Sequence, residues 1–314
     1  MFMFVRKSWG VAWELVAVAA FALAFCAPAI SAREENGKTF ETPGATIYYE
    51  VTGSGAGTPL VVVNGGPGFE HSYMHISAAW DLLAKNRPVI FYDQRGNGRS
   101  VGDHKGQSLT LKDQIDDLEA LRAHLGIERF DLLGHSWGGY LVMAYAAVHP
   151  DRVAHLIIVD SAAPKIKDTR FLFDDVFPET TERQASFAFA DELGDKNATT
   201  ADLHEYYTML CYSPEKSKTL AAEMARAGFS KEVNKGVSSD LERYDLNPEI
   251  RKFKFPALVI TGRYDMNVAP VVAYKIHQGI PGSKFLVFER SGHFPFYEEP
   301  EAFAIAVEEF LAGK

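Results

Sequence analysis

Apolar residues along this chain follow two rhythms. Short runs dense in Val, Ile, Leu, Phe and Tyr ("ATIYYEV", "PLVVVNGG", "PVIFYDQRG", "FDLLGHS", "VAHLIIVDS", "PALVITGRYD" and "KFLVFERSGH") predict strands. Between them lie stretches whose apolar positions recur every three to four residues. In "LTLKDQIDDLEALRAHLG" this spacing puts Leu111, Ile115, Leu118, Leu121 and Leu125 on one helical face before Gly126 ends it. "YLVMAYAAVHP", "APVVAYKIHQGI" and "EEPEAFAIAVEEFLAG" predict further helices. Near-continuous apolar strands alternating with amphipathic helices predict a mostly parallel central sheet covered by helices on both faces.

The alternation is interrupted between about Lys165 and Lys252. "RFLFDDVFPETTERQASFAFADEL" and "LHEYYTMLCYSPEKSKTLAAEMARAG" are rich in Phe, Tyr, Glu and Ala and contain no long β-branched run. A structureless loop of that length does not suit a compact domain, so a helical cap inserted between two core strands is expected. The predicted organisation is a core in two parts, residues 33–164 and 253–314, around a cap at 165–252.

Residues 1–32 have the pattern of an export signal. Arg6 and Lys7 give a basic start, "LVAVAAFALAFCA" an apolar run, and "PAISA" small residues suited to cleavage after Ala32. A spanning helix needs about 20 apolar residues, and Glu14 and Pro28 bracket this run too closely. The expectation is a periplasmic or secreted protein with no stable membrane insertion once the signal is removed. Cleavage would take one net positive charge from a chain of −9, leaving −10, and would leave Cys211 as the one cysteine, with no internal disulfide possible. This acidity, without clustered Lys or Arg, argues against a nucleic-acid partner. No C-x-x-C or H-E-x-x-H occurs, so neither a metal nor another cofactor is expected. Oligomeric state has no signature here.

The chemistry centres on "LLGHSWGGYL". Ser136 sits in a G-x-S-x-G pattern where a predicted strand gives way to a predicted helix, the setting in which a serine is lifted above a sheet on a strained turn. Gly134 and Gly138 then have a steric reason, since a Cβ on either would strike the neighbouring strand or helix. A serine hydroxyl needs a base, and the base needs an acid to orient it. His293 follows the last predicted strand, at the sheet edge where ligands gather in a parallel sheet. His135 adjoins the serine but should pack beneath the turn. Two carboxylates end neighbouring strands, Asp265 in "VITGRYD" and its rival Asp160 in "LIIVDS". Asp265 is the expected acid, because the order Ser136, Asp265, His293 is the one this arrangement requires. The backbone N–H groups of Gly66, in "VVVNGGPGFEH", and of Trp137 are the expected oxyanion donors.

These motifs together resemble an α/β-hydrolase of the proline iminopeptidase group: "GGPG" at 65–68, "DQRGNGRS" at 93–100, "GHSWGG" at 134–139, "GRYD" at 262–265 and "SGHFP" at 291–295. The resemblance implies a metal-free serine hydrolase with Ser136, Asp265 and His293 as its triad and a small-molecule or short-peptide substrate. It also implies that Asp93 and Arg95 brace a loop rather than react. Asn64 stands where many members have His, and Met266 where some have Glu. In the family, acids of the cap and site hold the substrate's α-ammonium, which makes Glu205 the substrate-binding candidate, with Glu242 beside it. An inward Glu205 would slow an amine-blocked substrate by more than about a hundredfold. The expected activity is therefore an aminopeptidase releasing N-terminal proline or a similar small residue. The alternatives are a carboxylesterase or lactonase and, in another class, a non-catalytic secreted binding protein.

Overall fold

The structure, a computed structural model, describes residues 37–102, 109–195 and 197–313. Residues 1–32, where the export signal is expected, lie outside this range. In the first half of the chain β1 (Lys38–Thr42), β2 (Ala45–Thr52), β3 (Leu60–Val63), α1 (Ala79–Leu83), β4 (Val89–Tyr92), β5 (Val101–Gly102), α2 (Leu111–His124), β6 (Phe130–His135), α3 (Trp137–Val148) and β7 (Val153–Val159) follow one another. Next come α4 (Phe173–Val176), α5 (Pro178–Glu192), α6 (Ala198–Thr208), α7 (Pro214–Arg226), α8 (Lys231–Leu241) and α9 (Asn247–Ile250). The sheet resumes with β8 (Ala257–Gly262), α10 (Pro270–Gly279) and β9 (Lys284–Phe288), and α11 (Pro295–Glu298) and α12 (Pro300–Leu311) complete the fold.

The nine strands form one sheet in the order β1-β2-β4-β3-β6-β7-β8-β9, with β5 paired to β2. Every pair from β4 to β9 is parallel, while β1, β2 and β5 pair antiparallel. This is the mostly parallel, helix-flanked α/β-hydrolase sheet expected. The central strands β3, β4, β6 and β8 are buried along their whole length, which is why they read as unbroken apolar runs. One apolar core, including Ile115, Leu118 and Leu121, lies on the α2 and α3 face, and a second, including Trp80, Phe296 and Phe303, lies on the α1 and α12 face. Thr110 caps α2 with a reciprocal Asp113 bond, and Gly126 follows the helix at φ 65°, as the sequence pattern anticipates. Between β7 and β8 the described chain carries six helices and no strand.

The parallel pairing aligns strand ends. Val63 lies opposite Gly134, His135 opposite Val159, Val159 opposite Ile260, and Gly262 opposite Phe288. The segments carrying Gly66, Ser136, Asp160, Asp265 and His293 therefore all leave the sheet at one edge. The "DQRGNGRS" loop beside them is fixed by a buried ion pair. Arg95 presents its guanidinium edge to Asp117 of α2, with Nε to Oδ2 at 2.8 Å and Nη2 to Oδ1 at 2.6 Å, and also donates to Pro43 O. Asp93 accepts from the His71 N–H, the His71 ring and the Arg99 N–H. Both residues thus brace loops. Asp117→Ala is expected to cost about 3–5 kcal/mol, because it leaves the Arg95 charge buried without a partner. Urea unfolding of the variant measures this, and a loss below about 1 kcal/mol would place the pair among weak surface ion pairs.

Candidate active site

Ser136 ends β6 and begins α3 at φ 57° and ψ −120°, a conformation rarely adopted by residues with a side chain. Its surroundings enforce that geometry. A Cβ on Gly134 would collide with the Gly138 carbonyl, and one on Gly138 would collide with the Val63 carbonyl, so helix, turn and β3 approach at backbone contact. The Ser136 N–H donates to Val159 O at 2.9 Å, tying the turn to the next strand.

The opposing turn is held by neutral polar side chains. Asn64 Nδ2 donates to Phe69 O and Gly65 O, both at 2.9 Å. Gln94 Nε2 donates to Asn64 O, and Trp137 Nε1 donates to Gln94 Oε1 at 2.7 Å. Asn64 thus stitches the Gly65–Phe69 turn to itself and, through Gln94, to the serine helix. The Gly65 N–H is committed to the Tyr73 hydroxyl at 2.7 Å. Gly66 and Trp137 face a common cavity with Ser136. Trp137 is the first residue of α3, so its N–H has no intrahelical acceptor.

His293 and Asp265 come together as their strand ends predict. His293 Nδ1 donates to Asp265 Oδ2 at 2.8 Å, and Asp265 Oδ1 accepts the N–H groups of Asn267 and Val268 at 2.9 and 2.8 Å. Both side chains are buried, and burial lowers the basicity of His293, so the ring rests neutral with Nε2 as acceptor. That lone pair takes Asn267 Nδ2 at 2.9 Å. Among the described residues no hydrogen bond joins His293 to Ser136 Oγ. His135 does pack beneath the turn, but it also works as a strut. Its Nε2 hydrogen-bonds His293 O at 2.7 Å, and burial holds its ring well below the usual imidazole range, which makes Nε2–H the donor.

A cavity of about 250 Å³ opens over Ser136. Its polar lining includes Thr169, Tyr206, Asn234, Ser238 and Asn267, and among the described residues no charged side chain lines it. Glu205 does not take the place expected of it. It pairs with Arg183 at 3.1 Å, while its neighbour Tyr206 faces the cavity. Consecutive residues on a helix project about 100° apart, so both cannot point inward. The same offset leaves Glu242 exposed while Leu241 lines the wall.

The helical segment is bolted to the histidine loop by Glu298, which the sequence reading did not single out. This α11 carboxylate accepts the N–H groups of Ser213 (2.9 Å), Tyr212 (3.1 Å) and Gly292 (2.5 Å), and the His293 N–H donates to Leu210 O at 2.7 Å. Glu298→Ala orphans three backbone donors at about 1–3 kcal/mol each. The expected outcome is a stability loss of at least about 2 kcal/mol by urea unfolding, together with a lower kcat/KM as the His293 loop loosens. Unchanged stability would show that water replaces the carboxylate there.

With this geometry in view, comparison with known proteins is direct. Residues 58–300 match the alpha/beta hydrolase fold family. The chain is 31% identical over 283 residues to the proline iminopeptidase of Clostridium botulinum, covering 84% of this chain and 94% of that protein. It is 30% identical to the proline iminopeptidase of Saccharolobus solfataricus, covering 85% and 89%. Among solved structures it is similar to a thermophilic esterase from Thermogutta terrifontis, with TM-score 0.67, 27% identity, and coverage of 88% and 96%. The chain is a hydrolase belonging to the α/β-hydrolase fold family, in the proline iminopeptidase group.

Proposed function

We propose that the protein cleaves small acyl compounds through an acyl-enzyme on Ser136. His293 exchanges the Asn267 amide for the Ser136 hydroxyl and takes its proton, and the serine oxygen attacks the substrate carbonyl. The Gly66 and Trp137 N–H groups receive the developing oxyanion, and Asp265 steadies the imidazolium that forms. The imidazolium protonates the leaving group, and water then releases the acyl group by the same steps. The observation that carries this reading is the convergence on one cavity of the strained turn of Ser136 and Trp137 and the turn of Gly66, with the buried His293–Asp265 pair reached through Asn267 of the cavity wall.

For the acyl group we propose N-terminal proline or a similarly small residue. The relatives carry that name over most of this chain, and a cavity of about 250 Å³ suits a small ring. A second reading, a small ester or lactone, is favoured by the uncharged lining, which offers an α-ammonium only neutral oxygen acceptors. With Glu205 turned away, blocking the amine breaks no buried ion pair, and the hundredfold penalty expected of an inward Glu205 no longer follows.

Ser136→Ala is expected to fold normally and to lose about 10⁴-fold or more in turnover. Near-normal activity would dismiss the nucleophile. On the wild-type enzyme, a prolyl arylamide is expected to exceed its N-acetyl form in kcat/KM, because the acetyl group adds bulk in a cavity of about 250 Å³, but by less than about a hundredfold, and equal rates would count against release of an N-terminal residue. A larger preference for the free amine would require a carboxylate at the pocket, and cleavage of a p-nitrophenyl ester alone would leave the esterase reading. We also propose export with loss of residues 1–32, supported by the basic, apolar and small-residue pattern there. Sequencing of the mature protein should begin near Arg33 in a periplasmic or extracellular fraction, and a soluble cytoplasmic product retaining Met1 would refute export.

A further inference from the structure

Asp160 plays no part in the steps above, yet it lies in the same buried cluster. Asp160, Asp265 and His293 have polar atoms within 4.8 Å of one another, and both carboxyl groups are fully buried. The backbone at Asp160 is held at φ 44°, a left-handed conformation seen at few residues with side chains. Its Oδ1 accepts the Gly262 N–H at 2.9 Å, but its Oδ2 is enclosed and meets no donor among the described residues. A carboxylate left in that state would carry an unsatisfied, uncompensated oxygen. As a carboxylic acid, however, Oδ2 becomes a donor, and the carboxyl group that shares its buried cluster is that of Asp265.

We propose that Asp160 is a positioning residue of the catalytic site, a carboxylic acid that keeps its proton and donates a hydrogen bond to the ionised Asp265. Two carboxyl groups this close and this dry share one negative charge rather than carrying two. The donor count decides which of them ionises. Asp265 receives the N–H groups of Asn267 and Val268 and His293 Nδ1–H, whereas Asp160 receives the Gly262 N–H alone. Burial raises both carboxyls, and the Asp265 charge raises Asp160 further, while the donors around Asp265 pull it back. The other ionisable groups facing the pair are His293, Glu298 and Tyr206 of α6, with neutral His135 behind His293. No proton moves in this arrangement. The bond from Asp160 holds the Asp265 carboxylate so that Oδ2 stays on His293 Nδ1.

The functional half of this proposal rests on the acyl-enzyme reading, so two measurements separate them. Infrared spectra at neutral pH should show a protonated-carboxyl C=O stretch that is lost in Asp160→Asn. Survival of that band in the variant would overturn the proposal whatever Ser136 does. The second measurement is the pH dependence of Ser136 labelling by a fluorophosphonate. Asparagine can accept from Gly262 and donate to Asp265, so Asp160→Asn should keep the wild-type rate within about threefold and leave the acid limb in place. Asp160→Gly suits the left-handed backbone but removes the donor. It should label at least about tenfold more slowly near pH 7, with its acid limb moved upward as Asp265 and the imidazolium hold protons more tightly. A downward move in Asp160→Asn, as expected if a charged partner of His293 were removed, or an unmoved limb in Asp160→Gly, would overturn the positioning role. A wild-type protein that fails to label would count against the Ser136 reading, and the infrared band would still decide the state of Asp160.

Discussion

The site depends on one steric constraint, the backbone contact between the serine turn and its two neighbours. Gly134, Gly138 and the Val63 carbonyl meet so closely that no side chain fits between β3, β6 and the start of α3. That contact holds Ser136 at φ 57° and brings Trp137, the first residue of α3, to the cavity. Strain of this kind costs on the order of 1–3 kcal/mol and persists only where surrounding packing leaves the chain no alternative. Here that packing is the fully buried β6 and an α3 whose first ten residues are all buried.

Everything else at the site is referenced to that turn through hydrogen bonds of known direction. Trp137 Nε1 reaches Gln94, Gln94 reaches Asn64, and Asn64 closes the turn that carries Gly66. On the other side His135, the residue before the serine, reaches His293 O. The serine turn is thus joined to the Gly66 turn on one flank and to the His293 loop on the other, with neutral groups throughout. A network of neutral donors and acceptors suits this place, because any charge near Ser136 would compete with the charge that develops during attack.

How much of this was legible in sequence follows from where each signal lives. The placement of Ser136, Asp265 and His293 at one edge was readable because each follows a strand visible as an apolar run, and parallel strands bring their ends to one edge. β1 ("KTFET") and the two-residue β5 were not, since neither carries such a run and both exist only by pairing with β2. Glu205 was misplaced because the family resemblance, not the helix pattern, singled it out: Leu203, Tyr206 and Tyr207, at i, i+3 and i+4, share the packed face of α6 and leave Glu205 off it. Glu298 and Asn267 left no sequence trace, because their roles lie in contacts with backbone groups and with His293 that only the folded chain brings near. Asp160 was visible but ambiguous. It ends a strand as Asp265's segment does; chain order favoured Asp265, and the His293 Nδ1–H bond and the larger number of donors at Asp265 separate the two in the fold.

The same bonds also constrain how substrate can enter. The helical segment is joined to the core by the backbone of His293, the proposed base, through its N–H to Leu210 O, and by Glu298, which gathers N–H groups from both sides of the junction. Lifting this segment as a lid would strip hydrogen bonds from buried donors and displace His293 in the same motion. Entry by side-chain movement costs far less. Phe171 lines the cavity yet is 63% exposed, and Asn267, Tyr206 and Asn234 can turn about their own bonds without disturbing a strand. On the mechanism proposed above, a substrate that displaces the Asn267 amide from His293 Nε2 frees that base only when the cavity is occupied, so binding and activation of Ser136 are coupled without any movement of the fold.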